Sequence, residues 1–189
     1  MAPESPASQK QWFFFALRPP RQEAHRIAAW LERTTQPGWD RMLTDRLHVT
    51  LAITPTFMNC PEDIVARLLR AGNHVAAAPF RLELDSLSIG PQSVALRPSR
   101  THTAAKALHQ ALARAMAREG VPLLPDYTFS PHVTLAYRQG PSASQQKVEP
   151  FGWDVEDFVL IRSLIGRTRH ISLGTWPLDR VAPVQYALF

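Results

Sequence analysis

Two identical five-residue segments each place a histidine and a threonine two positions apart, a spacing that suits proton-transfer chemistry. The segments are His48–Ala52 and His132–Ala136, and both read His-Val-Thr-Leu-Ala. Side chains alternate between the two faces of a β-strand, so each histidine shares a face with its threonine. Imidazole titrates at about pH 6.5, so one histidine can donate a proton while the other accepts one. Cleavage of a phosphodiester requires that combination, and the threonine hydroxyls are suited to binding the phosphate oxygens.

A second repeat lies upstream of each histidine segment. Ala16–Pro19 and Ala95–Pro98 both read Ala-Leu-Arg-Pro, and the two kinds of repeat occur in the same order along the chain. Each half is predicted to consist of a strand, an Arg-Pro turn, a helix, a loop and the strand that carries the histidine. We interpret this pattern as an internal duplication of residues 11–60 and 80–140.

The spacing of apolar residues predicts the elements that must position the two histidines. Helical spacing follows each Ala-Leu-Arg-Pro, over residues 24–31 and 104–116, and a third helix is predicted after Pro61. Further strands are predicted from Phe80 and at 158–161, 171–178 and 184–189. The polar segment 140–147 has no apolar periodicity and is predicted to be a surface loop. Because helices alternate with strands, the fold class is α plus β in two similar lobes.

The composition is that of one globular domain with an anionic partner. Of the 189 residues, 45% are hydrophobic and 20% are charged, which provides enough apolar surface to close a core. The net charge is +5 and 18 residues are Arg, whose planar guanidinium suits phosphate. This balance favours nucleotides or RNA as partners.

The sequence also excludes several kinds of site. Cys60 is the only cysteine, so neither an internal disulfide nor a Cys/His metal cage can form. No Gly-rich phosphate loop is present, and the apolar run 12–17 is too short to cross a bilayer or to serve as a signal peptide. We predict a disordered leader over residues 1–10 and a single bilobal catalytic domain over 11–189. The protein is expected to be cytoplasmic and monomeric, and to use no metal and no cofactor.

Other histidine and aromatic residues do not belong to a repeated motif. His102 and His109 lie seven apart on the second predicted helix, and with no third metal ligand nearby they are predicted to lie on a solvated face. Four aromatic residues beside predicted loops either stack on a base or pack in the core: Trp39, Tyr127, Phe129 and Trp153.

Around the two histidine segments the sequence resembles the 2H phosphoesterase superfamily, which is named for two His-x-Thr-x motifs. It is most similar to the bacterial and archaeal RNA 2′,3′-cyclic phosphodiesterases, historically called 2′-5′ RNA ligases. The similarity extends to the aromatic strand at 12–20 and to the runs 129–135 and 159–163. The resemblance implies an α+β fold of two pseudo-symmetric lobes, each an antiparallel sheet with helices on the outside, around a positively charged central cleft.

The resemblance also implies a role for each residue of the two motifs. His48 is expected to donate a proton to the leaving oxygen, and His132 to accept one from water. Thr50 and Thr134 are expected to bind the phosphate oxygens. The reaction implied is the opening of a 2′,3′-cyclic phosphate to a 2′-phosphomonoester.

Arginine and tyrosine residues provide the candidates for substrate binding. Relatives often carry Arg five residues after the second histidine, whereas here Tyr137 holds that position and Arg138 follows. On a strand, a shift of one residue turns the guanidinium to the other face, and both residues are kept as substrate-binding candidates. Arg18 and Arg97 recur with the duplication, and each is suited either to binding phosphate or to forming a structural salt bridge.

The leading hypothesis is a metal-independent phosphodiesterase that hydrolyses 2′,3′-cyclic phosphates of RNA ends or small nucleotides. A second hypothesis keeps the chemistry and changes the substrate to another cyclic phosphate, such as the 1″,2″-cyclic phosphate of ADP-ribose, or to a 2′-5′ linkage. A third hypothesis is an RNA-end-binding or 2′-5′ RNA ligase module whose cleft binds RNA ends without hydrolysing them. Turnover of a panel of cyclic phosphates, and RNA binding by variants of the two histidines, distinguish the three.

Overall fold

The computed structural model describes residues 9–141, 144–166 and 169–179. Its helices are α1 (Arg21–Thr34), α2 (Glu62–Asn73) and α3 (Thr103–Arg118), and a 3₁₀ turn covers Thr44–Arg46. Its strands are β1 (Lys10–Leu17), β2 (Asp40–Arg41), β3 (Val49–Ile53), β4 (Phe57–Met58), β5 (Phe80–Ile89), β6 (Ser93–Arg97), β7 (Val133–Tyr137), β8 (Ser144–Val155), β9 (Asp157–Leu164) and β10 (Arg169–Pro177). No helix in these ranges is long and apolar enough to cross a membrane.

The described strands form one antiparallel sheet in the order β10-β9-β1-β3-β7-β6-β5-β8, with β2 paired to β7 and β4 to β1. Four strands lie on each side of the β3–β7 junction, where Val49 is opposite Val133. We call the four strands β10, β9, β1 and β3 the His48 half, and the strands β7, β6, β5 and β8 the His132 half. The predicted α+β fold with two antiparallel halves is confirmed, and the two halves are continuous with each other.

The two faces of the sheet carry different side chains. One face bears the main hydrophobic core, where residues of β1 such as Phe13 and Phe15 pack with the apolar faces of all three helices. The opposite face bears a smaller cluster that contains Phe14 and Ile161 and no helical residue. This alternation follows from the two-residue period of a strand. The helices therefore cover one face and leave the other face, the cleft face, open to a ligand.

Each repeated helix packs against the half of the sheet that does not contain its own repeat. Helix α1 follows β1, yet its Trp30 ring lies 5.4 Å from the ring of Phe151 in β8. Its Glu23 carboxylate accepts a hydrogen bond from the backbone N–H of Gly152, at 2.7 Å. Helix α3 follows β6 and contacts β3 of the His48 half. This crossed packing interlocks the two segments that we propose to be duplicated.

Two predicted segments differ from the structure or lie outside it. The expected surface loop at 140–147 is wrong for Ser144–Lys147, which begin β8 and pair with the end of β5. β8 is an edge strand, so its backbone pairs with β5 although its first side chains are polar and show no apolar alternation. Gln145 Nε2 also donates a hydrogen bond to the Ser86 hydroxyl at 2.9 Å. The predicted strand at 184–189 lies outside the described residues. So does most of the predicted leader, whose last residue, Lys10, already pairs in β1.

Candidate active site

The strand that follows the first histidine contains a β-bulge. Thr50 and Ala52 lie opposite consecutive residues of β1, which leaves Leu51 as an extra residue. A bulge of this kind allows two consecutive side chains to face the same side of a sheet. Leu51 and Ala52 accordingly both pack in the main core, and Ile53 returns to the cluster on the cleft face.

The second motif has the same bulge at the equivalent residue. Thr134 and Ala136 lie opposite consecutive residues of β6, and Leu135 is the extra residue. Leu135 and Ala136 are both in the main core. The next residue, Tyr137, therefore faces the cleft side, like Ile53 in the first motif. Strict alternation from the histidine would have turned it to the core.

Each bulge receives a hydrogen bond from outside its own strand. The carbonyl oxygen of Leu51 accepts a hydrogen bond from His109 Nδ1 of α3 at 2.7 Å. The carbonyl oxygen of Leu135 accepts one from the backbone N–H of Met42, which follows β2, also at 2.7 Å. An unpaired carbonyl at these buried positions would cost free energy, so the two donors stabilise the bulges.

His109 consequently does not lie on a solvated face, and the prediction is wrong for this residue, whereas His102 is partly exposed. His102 precedes α3, and its Nδ1 accepts a hydrogen bond from the backbone N–H of Ala105 at 3.2 Å. The ring of His109 is stacked on Phe129 with centroids 4.6 Å apart. Hydrogen bonds from side chains to backbone carbonyls leave no periodic pattern in a sequence, which is why spacing did not predict these positions.

The two motif histidines are held in the same way. His48 Nδ1 donates to the carbonyl oxygen of Arg46 at 2.6 Å, and His132 Nδ1 donates to that of Ser130 at 2.7 Å. Each acceptor lies two residues before its histidine, so the anchor is repeated with the motif. Engaging Nδ1 fixes the tautomer and leaves Nε2 to exchange a proton with a ligand in the cleft.

Two further rings surround His48. The imidazole of His48 stacks on Phe14 with centroids 4.9 Å apart, and the ring of His170 from β10 lies 5.3 Å away, edge-on. Arg46 Nη2 lies 3.3 Å from His170 Nε2 and donates to it when that nitrogen carries no proton. The register brings His170 there because it pairs with Ser163 of β9. Sequence reasoning missed His170 and Arg46, since neither belongs to a repeat.

Three guanidinium groups supply positive charge to the cleft. Arg18 Nη1 donates to the Ser172 hydroxyl at 2.9 Å, and Arg97 Nη1 donates to the Ser130 hydroxyl at 2.8 Å. Within the described part of the chain, no ion pair includes either of them or Arg46. The structural salt bridge considered for Arg18 and Arg97 is therefore not observed in those ranges, and the cleft is suited to an anion.

Comparison with known proteins places this arrangement in a family. The model of the 2′-5′ RNA ligase superfamily matches residues 19–167. The chain belongs to this superfamily. Escherichia coli LigT bound to 3′-AMP has a TM-score of 0.76 at 25% identity, over 89% of this chain and 98% of LigT. Apo LigT gives 0.74 at 26%, over 90% and 99%, and a protein described as a phosphoesterase gives 0.73 at 25%, over 89% and 98%. No curated protein matches the sequence.

Burial and nearby cations favour the neutral form of both histidines of this 2′-5′ RNA ligase superfamily member in the free protein. Burial lowers the pKa of His48 to about 4, and charges on His132, Arg18 and Arg46 act in the same direction. The bond to the Arg46 carbonyl opposes this shift. Burial also lowers the pKa of His132, with Arg97 contributing. An anion bound between these cations would raise both pKa values.

The two substrate-binding candidates of this superfamily member have different surroundings. Arg138 Nη1 donates to the carbonyl oxygens of Gly90 at 2.8 Å and Pro141 at 2.9 Å, so its guanidinium is held by loop backbone. Tyr137 is 54% exposed. Arg18, Arg46 and Arg97 replace Arg138 as the leading candidates for phosphate contact.

No group of three or more His, Cys, Asp or Glu side chains suited to a metal ion occurs in residues 9–141, 144–166 and 169–179.

Proposed function

We propose that the chain is a metal-independent phosphodiesterase that opens the 2′,3′-cyclic phosphates of RNA ends or small nucleotides to 2′-phosphomonoesters. The observation that carries the proposal is the matched pair of histidines, each with Nδ1 bonded to a backbone carbonyl and Nε2 left for the cleft. The complexes of LigT with 3′-AMP and with phosphate support a nucleotide phosphate as the ligand class.

In the proposed reaction, His132 and His48 transfer one proton each. His132 Nε2 accepts a proton from water as the water oxygen attacks phosphorus. The bond between phosphorus and O3′ breaks, and His48 Nε2 donates its proton to O3′, which leaves a 2′-phosphomonoester. The ring protons then return to their starting positions by exchange with solvent, so the cycle needs no other reactant.

The donor role of His48 requires help from the substrate. With a pKa of about 4, His48 carries no proton in most free molecules at neutral pH. A cyclic phosphate is an anion, and its charge beside Arg18 and Arg46 would offset the repulsion that those cations exert on an imidazolium. Proton uptake by His48 would therefore accompany substrate binding. Thr50 and Thr134, on the same face, are suited to donating hydroxyl hydrogen bonds to the non-bridging oxygens.

The pH dependence of kcat/KM should have its maximum on the acidic side of neutrality. Catalysis needs one protonated and one neutral histidine, and the pKa values of both are lowered from 6.5, that of His48 to about 4. The singly protonated pair is thus most abundant between about pH 4 and the lowered pKa of His132, which lies below 6.5, and it declines about tenfold per unit at higher pH. Initial rates on a nucleoside 2′,3′-cyclic phosphate from pH 3.5 to 9 measure this profile. A plateau of kcat/KM that extends to pH 8 would contradict it.

Turnover of a small substrate panel in the presence of a chelator tests the proposed function directly. We expect nucleoside 2′,3′-cyclic phosphates to be hydrolysed to 2′-phosphates at the same rate with and without EDTA, because the histidines supply both proton transfers. Product identity is read by phosphorus NMR. Faster turnover of the 1″,2″-cyclic phosphate of ADP-ribose or of a 2′-5′ dinucleotide would change the substrate. Loss of activity in EDTA would overturn the metal-independent mechanism.

A further inference from the structure

Strand β3 receives hydrogen bonds from groups outside the sheet along most of its length. In the described residues it pairs with β7 only at Val49. Three later carbonyl oxygens of β3 accept hydrogen bonds from α3 and from the chain between α3 and β7. The pairs are Thr50 with the Tyr127 hydroxyl at 3.1 Å, Leu51 with His109 Nδ1 at 2.7 Å, and Ile53 with the backbone N–H of Leu124 at 2.8 Å.

The two side-chain donors, His109 and Tyr127, are themselves held in place. The ring of His109 lies parallel to that of Phe129, with the planes 5° apart, and the Tyr127 ring is edge-on to it at 6.0 Å. Burial raises the pKa of Tyr127 to about 12, so its hydroxyl keeps the proton that it donates. A carbonyl oxygen only accepts, so His109 Nδ1 carries the proton of its own bond. Both donors therefore restrict the movement of the carbonyls that they contact.

These bonds restrict Thr50 in particular, because they act on the two peptide groups that follow it. Rotation of the peptide group between Thr50 and Leu51 changes ψ of Thr50 and turns the residue relative to its strand. Val49 is opposite Val133 in an antiparallel pair, so Thr50 is next to His132 across the junction. A movement of Thr50 would therefore change the distance between its hydroxyl and His132.

The segment that contains Tyr127 also holds His132. Ser130 follows Phe129, and its carbonyl oxygen accepts the hydrogen bond from His132 Nδ1. Tyr127, Phe129 and Ser130 thus connect the two motifs within four residues. One short piece of chain contacts the threonine strand of the first motif and the histidine of the second.

We infer that His109 and Tyr127 are positioning residues that fix the Thr50 hydroxyl at the distance from His132 that the phosphate of the substrate requires. Each acts through a backbone carbonyl of β3 and not by contact with the substrate. In the second motif the bulge carbonyl is held by a backbone N–H, so substitution of these two side chains removes donors at the first motif only. The inference rests on the proposed function, which assigns Thr50 to the phosphate oxygens.

A double-mutant cycle with Thr50→Val tests the inference. The readouts are kcat on a nucleoside 2′,3′-cyclic phosphate and the dissociation constant of inorganic phosphate. His109→Phe keeps a ring against Phe129 and removes Nδ1, and Tyr127→Phe removes only the hydroxyl. We expect each to lower kcat about tenfold and to weaken phosphate binding, because a displacement of less than 1 Å is sufficient. In the Thr50→Val background, the same substitutions should have little further effect. His109→Asn, whose amide can donate in place of Nδ1, should restore part of the lost kcat.

His102→Phe is the matched control for the histidine variant. His102 lies at the start of the same helix, and its Nε2 also bonds to a backbone carbonyl, that of Arg81 at 2.8 Å, which is in β5 and not in β3. This variant should retain kcat, and thermal unfolding measures the stability of every variant.

The positioning role would be overturned by equal losses in the wild-type and Thr50→Val backgrounds, by wild-type kcat in both His109→Phe and Tyr127→Phe, or by an equal loss in His102→Phe. If the cycle shows coupling for phosphate binding but the wild type hydrolyses no cyclic phosphate, the proposed function alone is contradicted. A wild type that neither binds phosphate nor hydrolyses a cyclic phosphate would contradict both.

Discussion

Replacement of His48 or His132 by alanine is expected to lower kcat on a nucleoside 2′,3′-cyclic phosphate by about a thousandfold, within the range for loss of one proton-transfer group. Each ring presents Nε2 to the cleft because Nδ1 is held by a backbone carbonyl. Alanine cannot transfer a proton, and water in its place is not positioned by such an anchor. Steady-state kinetics at the pH optimum measures the loss.

The histidine variants have clear controls. His25 is exposed on α1, away from the cleft, so His25→Ala should retain full activity. The double variant of His48 and His132 should be little slower than either single variant, because the two groups act together in one step. Thermal unfolding monitored by circular dichroism checks that the fold is retained. Wild-type turnover by either folded single variant would contradict the proposed mechanism.

Substitution of Arg18 or Arg97 by glutamine should reduce kcat/KM by about a hundredfold, as expected for removal of one preorganised donor to a developing negative charge. Each guanidinium is fixed by a serine hydroxyl and has no carboxylate partner in the described ion pairs. The inhibition constant for inorganic phosphate should rise in the same variants. Competitive inhibition assays measure this loss apart from the chemical step.

Arg33→Gln provides the matched control for charge, because Arg33 is exposed in the last turn of α1 and the substitution removes the same single charge. Loss of Arg97 should also move the alkaline limb of the kcat/KM profile to higher pH, since Arg97 lowers the pKa of His132. If the Arg18 and Arg97 variants behave like Arg33→Gln, these residues do not bind the phosphate.

The strands of the two halves were predictable because they follow from local features of the sequence, whereas their antiparallel arrangement was implied by the resemblance to the superfamily. The repeated Ala-Leu-Arg-Pro and His-Val-Thr-Leu-Ala segments, and the alternation at Phe80, indicate strands without any knowledge of their neighbours. The structure differs from the prediction where the conformation of a segment depends on the strand that pairs with it. Ser144–Lys147 form a strand because the edge of β5 is available to pair with them, and nothing in their own polarity indicates this.

The candidate site was predictable only in the part that the repeat encodes. His48, His132, Arg18 and Arg97 occur at equivalent positions of the two segments, and the structure brings their side chains to one face. His170 depends on the register of β10 against β9. The cleft-facing position of Tyr137 depends on a bulge, which changes the alternation without changing the residue pattern.

The crossed packing of α1 and α3 has a consequence for how such a chain can arise. In a single copy of the repeat, the helix would not cover the strands of its own copy. The apolar, core-facing side of those strands would then be exposed to solvent. When two copies exchange helices, each helix covers the core-facing strands of the other copy. This is the arrangement of a two-fold symmetric dimer with swapped elements.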